Sequence, residues 1–163
     1  MKSIFGRHLL IDAYIEDGSI LDNPKVLCDV FDELVRNLGM QYLQRPTAIR
    51  VDCDPAFLKT DDDDGGWSVA CQITTSHIAL HGWPQRNAFM MDIFSCHDFD
   101  VNLAKRIVWD RLGITQANVH DIHRTDPREH LRADAPTTDA PTADAPTADA
   151  PTADARHDNS VAA

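Results

Sequence analysis

Apolar and polar positions along this chain switch between two periods, and the switches outline its elements. Arg7 to Ile15 reads as a first strand. Val26, Leu27, Val30, Phe31, Leu34, Val35 and Leu38 then fall on one helical stripe, which predicts a helix over Lys25 to Leu38. Asn23 caps it, Pro24 suits its first turn and Gly39 stops it. Met40 to Val51 offers a less regular strand, and Asp52 to Gly66 a loop. Trp67 to Thr74 is a strand leading directly into another. In that next strand Ser76, Ile78 and Leu80 have one parity, and His77, Ala79 and His81 the other. A period of two belongs to a strand, so both histidines should share a face. After the Gly82-Trp83-Pro84 turn, Ala88 to Phe94 returns antiparallel, which would deliver Cys96 to the neighbourhood of Ser76 and His81. Asp98 or Asp100 caps a second helix over Val101 to Leu112, ended by Gly113, and Thr115 to Ile122 is the last strand. The order β-α-β-β-β-β-α-β predicts an α+β fold, a two-layer α/β sandwich with two helices on one face of a mainly antiparallel sheet.

Composition divides the chain in two. Near Ala133 a five-residue unit takes over, DAPTT DAPTA DAPTA DAPTA, with no apolar face to bury. A disordered, partly polyproline-II tail is expected over 125–163, behind a domain at 1–124, and deleting the residues after Leu131 should leave activity intact. The net charge is −11, of which six aspartates and one arginine in the repeats and beyond supply −5. The domain is therefore acidic in its own right, which argues against nucleic acid or an anionic membrane as partner and agrees with a cationic small-molecule substrate. No apolar run is long enough to span a bilayer, and the start lacks a signal-peptide core. Cysteines 28, 53, 71 and 96 match no zinc or redox spacing, so reduced thiols in a cytoplasmic protein are expected, with Cys28 and Cys71 as small core residues.

A hydroxyl, an imidazole and a thiol gathered on a small sheet make a plausible reaction centre. The segment TSHIALHGWPQ, followed by an apolar strand ending IFSC, resembles the prokaryotic S-adenosylmethionine decarboxylase proenzymes, whose motif reads roughly ESHxxxHTWPE before a strand ending in cysteine. The opening MKSIFGRHLLIDAY is similar to that family's first strand, and the resemblance extends to about Arg124. It implies a pyruvoyl-dependent enzyme of spermidine and polyamine synthesis, made by autocatalytic cleavage between Thr75 and Ser76. Ser76 would attack the preceding carbonyl, and elimination and hydrolysis would convert it into the pyruvoyl cofactor. His81 matches the family's processing histidine and Ser68 a serine assisting that step. Cys96 matches the proton donor, a role that suits a thiol mostly protonated at neutral pH. The pyruvoyl group would condense with the substrate amine as a Schiff base and draw off electrons as carbon dioxide leaves. A homodimer with active sites near the subunit interface is also implied.

Two positions depart from the family's pattern. Thr75 and Gln85 stand where glutamates contact the adenine and the ribose hydroxyls of the substrate. Gln85 can still hydrogen-bond a hydroxyl, without charge assistance. These changes keep two rivals open: a pyruvoyl-dependent ornithine or arginine decarboxylase, and a non-cleaving homologue that binds a ligand or partner. Other chemistries fit less well. The run Asp61 to Asp64 lacks the spaced ligands of a calcium loop. No Gly-x-Ser-x-Gly elbow supports a hydrolase, and His77, His81 and Cys96 lack a fourth zinc ligand. His77 is as well explained by a structural role.

Overall fold

Alternating burial decides which face of the sheet is covered. The structure, a computed structural model, describes residues 4–52, 65–126 and 128. Six strands form one antiparallel sheet: β1 (Ile4–Ile15), β2 (Tyr42–Val51), β3 (Gly66–Ile73), β4 (Ser76–Trp83), β5 (Ala88–Ser95) and β6 (Ile114–Thr125). Their spatial order is β2-β3-β4-β5-β1-β6, so β1 slots between β5 and β6 after a long excursion of the chain. Leu9, Ile11, Val69, Ile78, Leu80, Phe89, Met91 and Ile93 are buried beneath the helices α1 (Pro24–Asn37) and α2 (Val101–Leu112). The helices answer with Leu27, Val30, Phe31, Leu34, Ala104, Val108 and Leu112, all within the same core cluster. Each large side chain removed from water contributes roughly 1.5–3 kcal/mol, so this seam holds the layers together. The two-layer α+β sandwich expected from the pattern is the observed fold.

Local chemistry explains the helix ends. The Asn23 side chain accepts from the amides of Lys25 and Val26 at the start of α1. At α2 the choice between two aspartates falls on Asp100, which accepts from Leu103 N at 2.9 Å, while Asp98 turns to Arg7 instead. Gly113 ends α2 in the left-handed conformation at φ 66°. The last strand is longer than its own pattern suggested because it pairs with β1 from Ile4 opposite Thr125 to Ile15 opposite Ile114. A short 3₁₀ turn at Gly18–Asp22, unmarked in the pattern, buries Leu21. A side chain at Gly18 would overlap the Pro84 carbonyl oxygen, so glycine lets this turn press on the loop after β4.

The passage from Trp67–Thr74 into the Ser76 strand is a reversal, not a direct run. Ile73 pairs with Ser76, so β3 and β4 are a hairpin closed by Thr74 and Thr75. No helix among the described residues is long and apolar enough to cross a membrane. The four-aspartate run and the repeat tail lie outside the described residues.

Candidate active site

The β3–β4 turn carries a strained residue. Thr75 has φ 53°, and a β-branched side chain in that region costs about 1–2 kcal/mol. The strain sits on the acyl side of the Thr75–Ser76 peptide bond. Immediately beyond it, Ser76 Oγ accepts the backbone N–H of Cys96 at 2.9 Å. The Cys96 sulphur lies 2.7 Å from Thr75 Oγ1 and 3.1 Å from His97 Nδ1. Antiparallel return of β5 accounts for this meeting: with His77 opposite Phe94, the register carries Cys96 to the hairpin turn. Thr75, Ser76 and Cys96 therefore converge at one end of the sheet.

Arg7 pins the loop that follows. Its guanidinium donates to Asp98 at 2.6 Å and to both oxygens of Asp121, at 2.8 and 2.7 Å. Hydrogen bonding to Arg7 holds the Asp98 and Asp121 carboxyls below the usual carboxylate range, and the same pairing raises the Arg7 guanidinium further. The His97 amide donates to Ser95 Oγ at 3.1 Å, a buried hydroxyl. A cavity of about 290 Å³ opens here, lined by Gly39, Gln41, Thr74, Ser95, His97 and Asp98.

His81 does not join this group, which corrects the expectation that Cys96 would meet both Ser76 and His81. It pairs with Ser68 across the hairpin, Nδ1 to Oγ 3.0 Å. His81 stands five residues along β4 from Ser76, roughly 17 Å at 3.3 Å per residue. Its parity also directs it to the uncovered face, together with His77. Ser68 and His81, the two residues tied by resemblance to processing, thus form a second pair at the far end of the strand. Gln85 lies near that end, exposed in the 3₁₀ turn Pro84–Arg86. His77, His81 and Cys96 are accordingly not gathered as zinc ligands, and among the described residues no cluster of three or more metal-ligating side chains occurs.

A third cluster was missed in the sequence. His8 Nε2 contacts Asp92 Oδ1 at 3.1 Å, and its ring meets His77 and Phe94 edge-on at 6.3 and 5.7 Å between centroids. Arg124 stacks over Phe94 at 5.1 Å. His8 and His77 both lie opposite Phe94, one on each side, and only the sheet order makes them neighbours. The only cue in the sequence was a histidine within the first strand. The uncovered face also exposes Ile49, Met90, Tyr14 and Ile122 beside these polar groups, with a hollow of about 530 Å³ over Ser68, His77 and His81.

Residues 7–125 match the sequence profile of a family described as S-adenosylmethionine decarboxylase. An S-adenosylmethionine decarboxylase proenzyme of Thermoanaerobacter sp. (strain X514) is 34% identical over 97 residues, covering 60% of this chain and 68% of the relative. A proenzyme of the same name from Caldanaerobacter subterraneus subsp. tengcongensis is 28% identical over 93 residues, 57% of this chain and 65% of the relative. Among solved structures, the adenosylmethionine decarboxylase of Aquifex aeolicus VF5 superposes with a TM-score of 0.57 over 75% of this chain and 92% of its own, at 16% identity. That last likeness speaks to the fold.

Proposed function

Since the chain belongs to the S-adenosylmethionine decarboxylase family, we propose that it is the proenzyme of a pyruvoyl-dependent decarboxylase of S-adenosylmethionine, serving polyamine synthesis. The observation that carries this reading is the strained Thr75–Ser76 linkage, with Ser76 Oγ on the Cys96 amide and the Cys96 thiol against Thr75. Ser76 is the nucleophile. Its oxygen attacks the Thr75 carbonyl carbon, the peptide C–N bond breaks, and an ester replaces it. Cleavage of the ester by elimination and loss of ammonia by hydrolysis leave the pyruvoyl group at the head of the larger fragment. The Cys96 amide holds the attacking oxygen of Ser76, which leaves with the Thr75 carboxylate on elimination, and the pyruvoyl group would form beside the Cys96 thiol, its keto oxygen coming from water. Once formed, the group supplies an electron-accepting carbonyl for decarboxylation.

The chain's own residues divide the remaining work. Cys96 delivers the proton that replaces the departing carboxylate. Thr75 and Gln85 take the places of two substrate contacts, and the Gln85 amide can bond a ribose hydroxyl. Elimination and attack both need a base near neutral pH, a task suited to imidazole. His81 is out of reach of Ser76 within one chain, so we assign that role to the partner subunit's His81, aided by the partner subunit's Ser68. Exposed apolar side chains interleaved with these groups support the uncovered sheet face as the homodimer contact. Free thiols at Cys28, Cys71 and Cys96 support a cytoplasmic setting.

Denaturing electrophoresis with intact mass tests the reading. Cleavage yields pieces of 75 and 88 residues from the 163, the larger with a blocked amino end, and Ser76→Ala leaves one chain. Release of labelled carbon dioxide from S-adenosylmethionine, ornithine and arginine, compared side by side, identifies the substrate. An uncut parental chain that reacts with no carbonyl reagent would refute the proposal.

A further inference from the structure

A proton donor has to be reloaded after each turnover, and the groups around Cys96 are arranged for that. Thr75 Oγ1 lies 2.8 Å from the Thr74 carbonyl oxygen, which can only accept, so the single hydroxyl proton is committed there. The Thr75 oxygen, 2.7 Å from Cys96 Sγ, is then an acceptor and takes the thiol proton. With S–H so directed, the 3.1 Å contact between Cys96 Sγ and His97 Nδ1 is satisfied by His97 donating. The contacts close in one direction: Nδ1–H to sulphur, S–H to Thr75 Oγ1 and, at 4.0 Å, to the Thr74 carbonyl, and O–H to Thr74. His97 is exposed to solvent while its backbone amide is fixed on Ser95 Oγ.

We propose that His97 is a positioning residue that reprotonates Cys96, an inference that rests on the decarboxylase reading above. When the thiol protonates the product carbon, an S–H bond breaks, a C–H bond forms and a thiolate remains. The imidazolium form of His97 gives its Nδ1 proton to sulphur, so an N–H bond breaks and an S–H bond forms. The resulting neutral imidazole takes a proton back from solvent. One proton is thereby drawn from water per carboxylate replaced, which matches the stoichiometry of decarboxylation. Imidazole suits the step because it exchanges protons near neutral pH.

Two substitutions separate relay from contact. His97→Asn keeps an N–H near the Nδ1 position but cannot pass a proton; His97→Ala removes both. On cleaved chains, kcat should fall on the order of tenfold or more in both variants with KM changed by less than about twofold. Added imidazole should restore part of the turnover of His97→Ala. Independently of turnover, iodoacetamide alkylation of the Cys96 peptide is read by mass in a Ser76→Ala background, where no cofactor forms. There His97→Ala should slow alkylation by about threefold or more, and His97→Asn by less, because an N–H donor stabilises the thiolate. A kcat for His97→Asn within twofold of the parent overturns the relay. Equal alkylation with and without His97 overturns the contact. A parental chain that never cleaves defeats the decarboxylase reading instead, and the alkylation comparison still decides the Cys96–His97 pair.

Discussion

Mixing two defective chains separates action within a subunit from action between subunits. Ser76→Ala removes the nucleophile, and His81→Ala removes the imidazole that pairs with Ser68. Within one chain these residues are five apart on β4, roughly 17 Å, against a hydrogen-bond reach of about 3 Å. Rotamer changes cannot close that gap, since the two side chains also leave the strand on opposite faces. If Ser76 is served by the partner's His81, each variant alone stays uncut. Refolding them together in equal amounts makes about half of the dimers mixed, each holding one complete centre. About half of the His81→Ala chains should then be cleaved and none of the Ser76→Ala chains. Intact mass resolves the two without tags. Zero cleavage in the mixture would refute the two-subunit arrangement. Full cleavage of His81→Ala alone would show that the base comes from elsewhere, and His97 beside Cys96 would be the imidazole to examine.

Three further outcomes follow from the geometry. Thr75→Gly relieves about 1–2 kcal/mol of left-handed strain, so self-cleavage should slow by up to about thirtyfold, read from band intensities over time; unchanged or faster cleavage would show that the strain is not spent in breaking the bond. Asp98 and Asp121 are held low by Arg7, so their contribution is present above the ordinary carboxyl range and is lost as pH falls through the lowered values. The advantage of the parent over Arg7→Met in urea midpoint should therefore begin to shrink below about pH 5 and go on shrinking as pH falls past the ordinary carboxyl value near 4, and a gap unchanged from about pH 7 to pH 3 would contradict it. Burial pushes the Cys71 thiol up to about 11, so the folded chain keeps it neutral where the unfolded chain ionises; stability should fall as pH rises from about 9 toward 11, and Cys71→Ala should lessen that slope, the remainder coming from Cys28 and Tyr42, which burial raises too.

The local patterns carried the elements, and they carried part of the site. Period-two alternation over Ser76 to His81 set both histidines on one face, because successive strand side chains alternate whatever the rest of the chain does. Caps at Asn23 and Asp100 and the stop at Gly113 are likewise contacts within a few residues. Cys96 beside Ser76 was legible for the same reason: neighbouring antiparallel strands fold back on each other. The separation of His81 from Ser76 was legible as well, because five residues of extended strand and opposite parity hold them apart. Two things were decided only by tertiary structure. The left-handed Thr75 is imposed by a two-residue hairpin closure that its own propensity opposes. The His8–Asp92–Phe94 cluster exists because β1 enters between β5 and β6. Periodicity is a property of a strand alone, whereas sheet order and register are set by how non-local apolar surfaces are buried together.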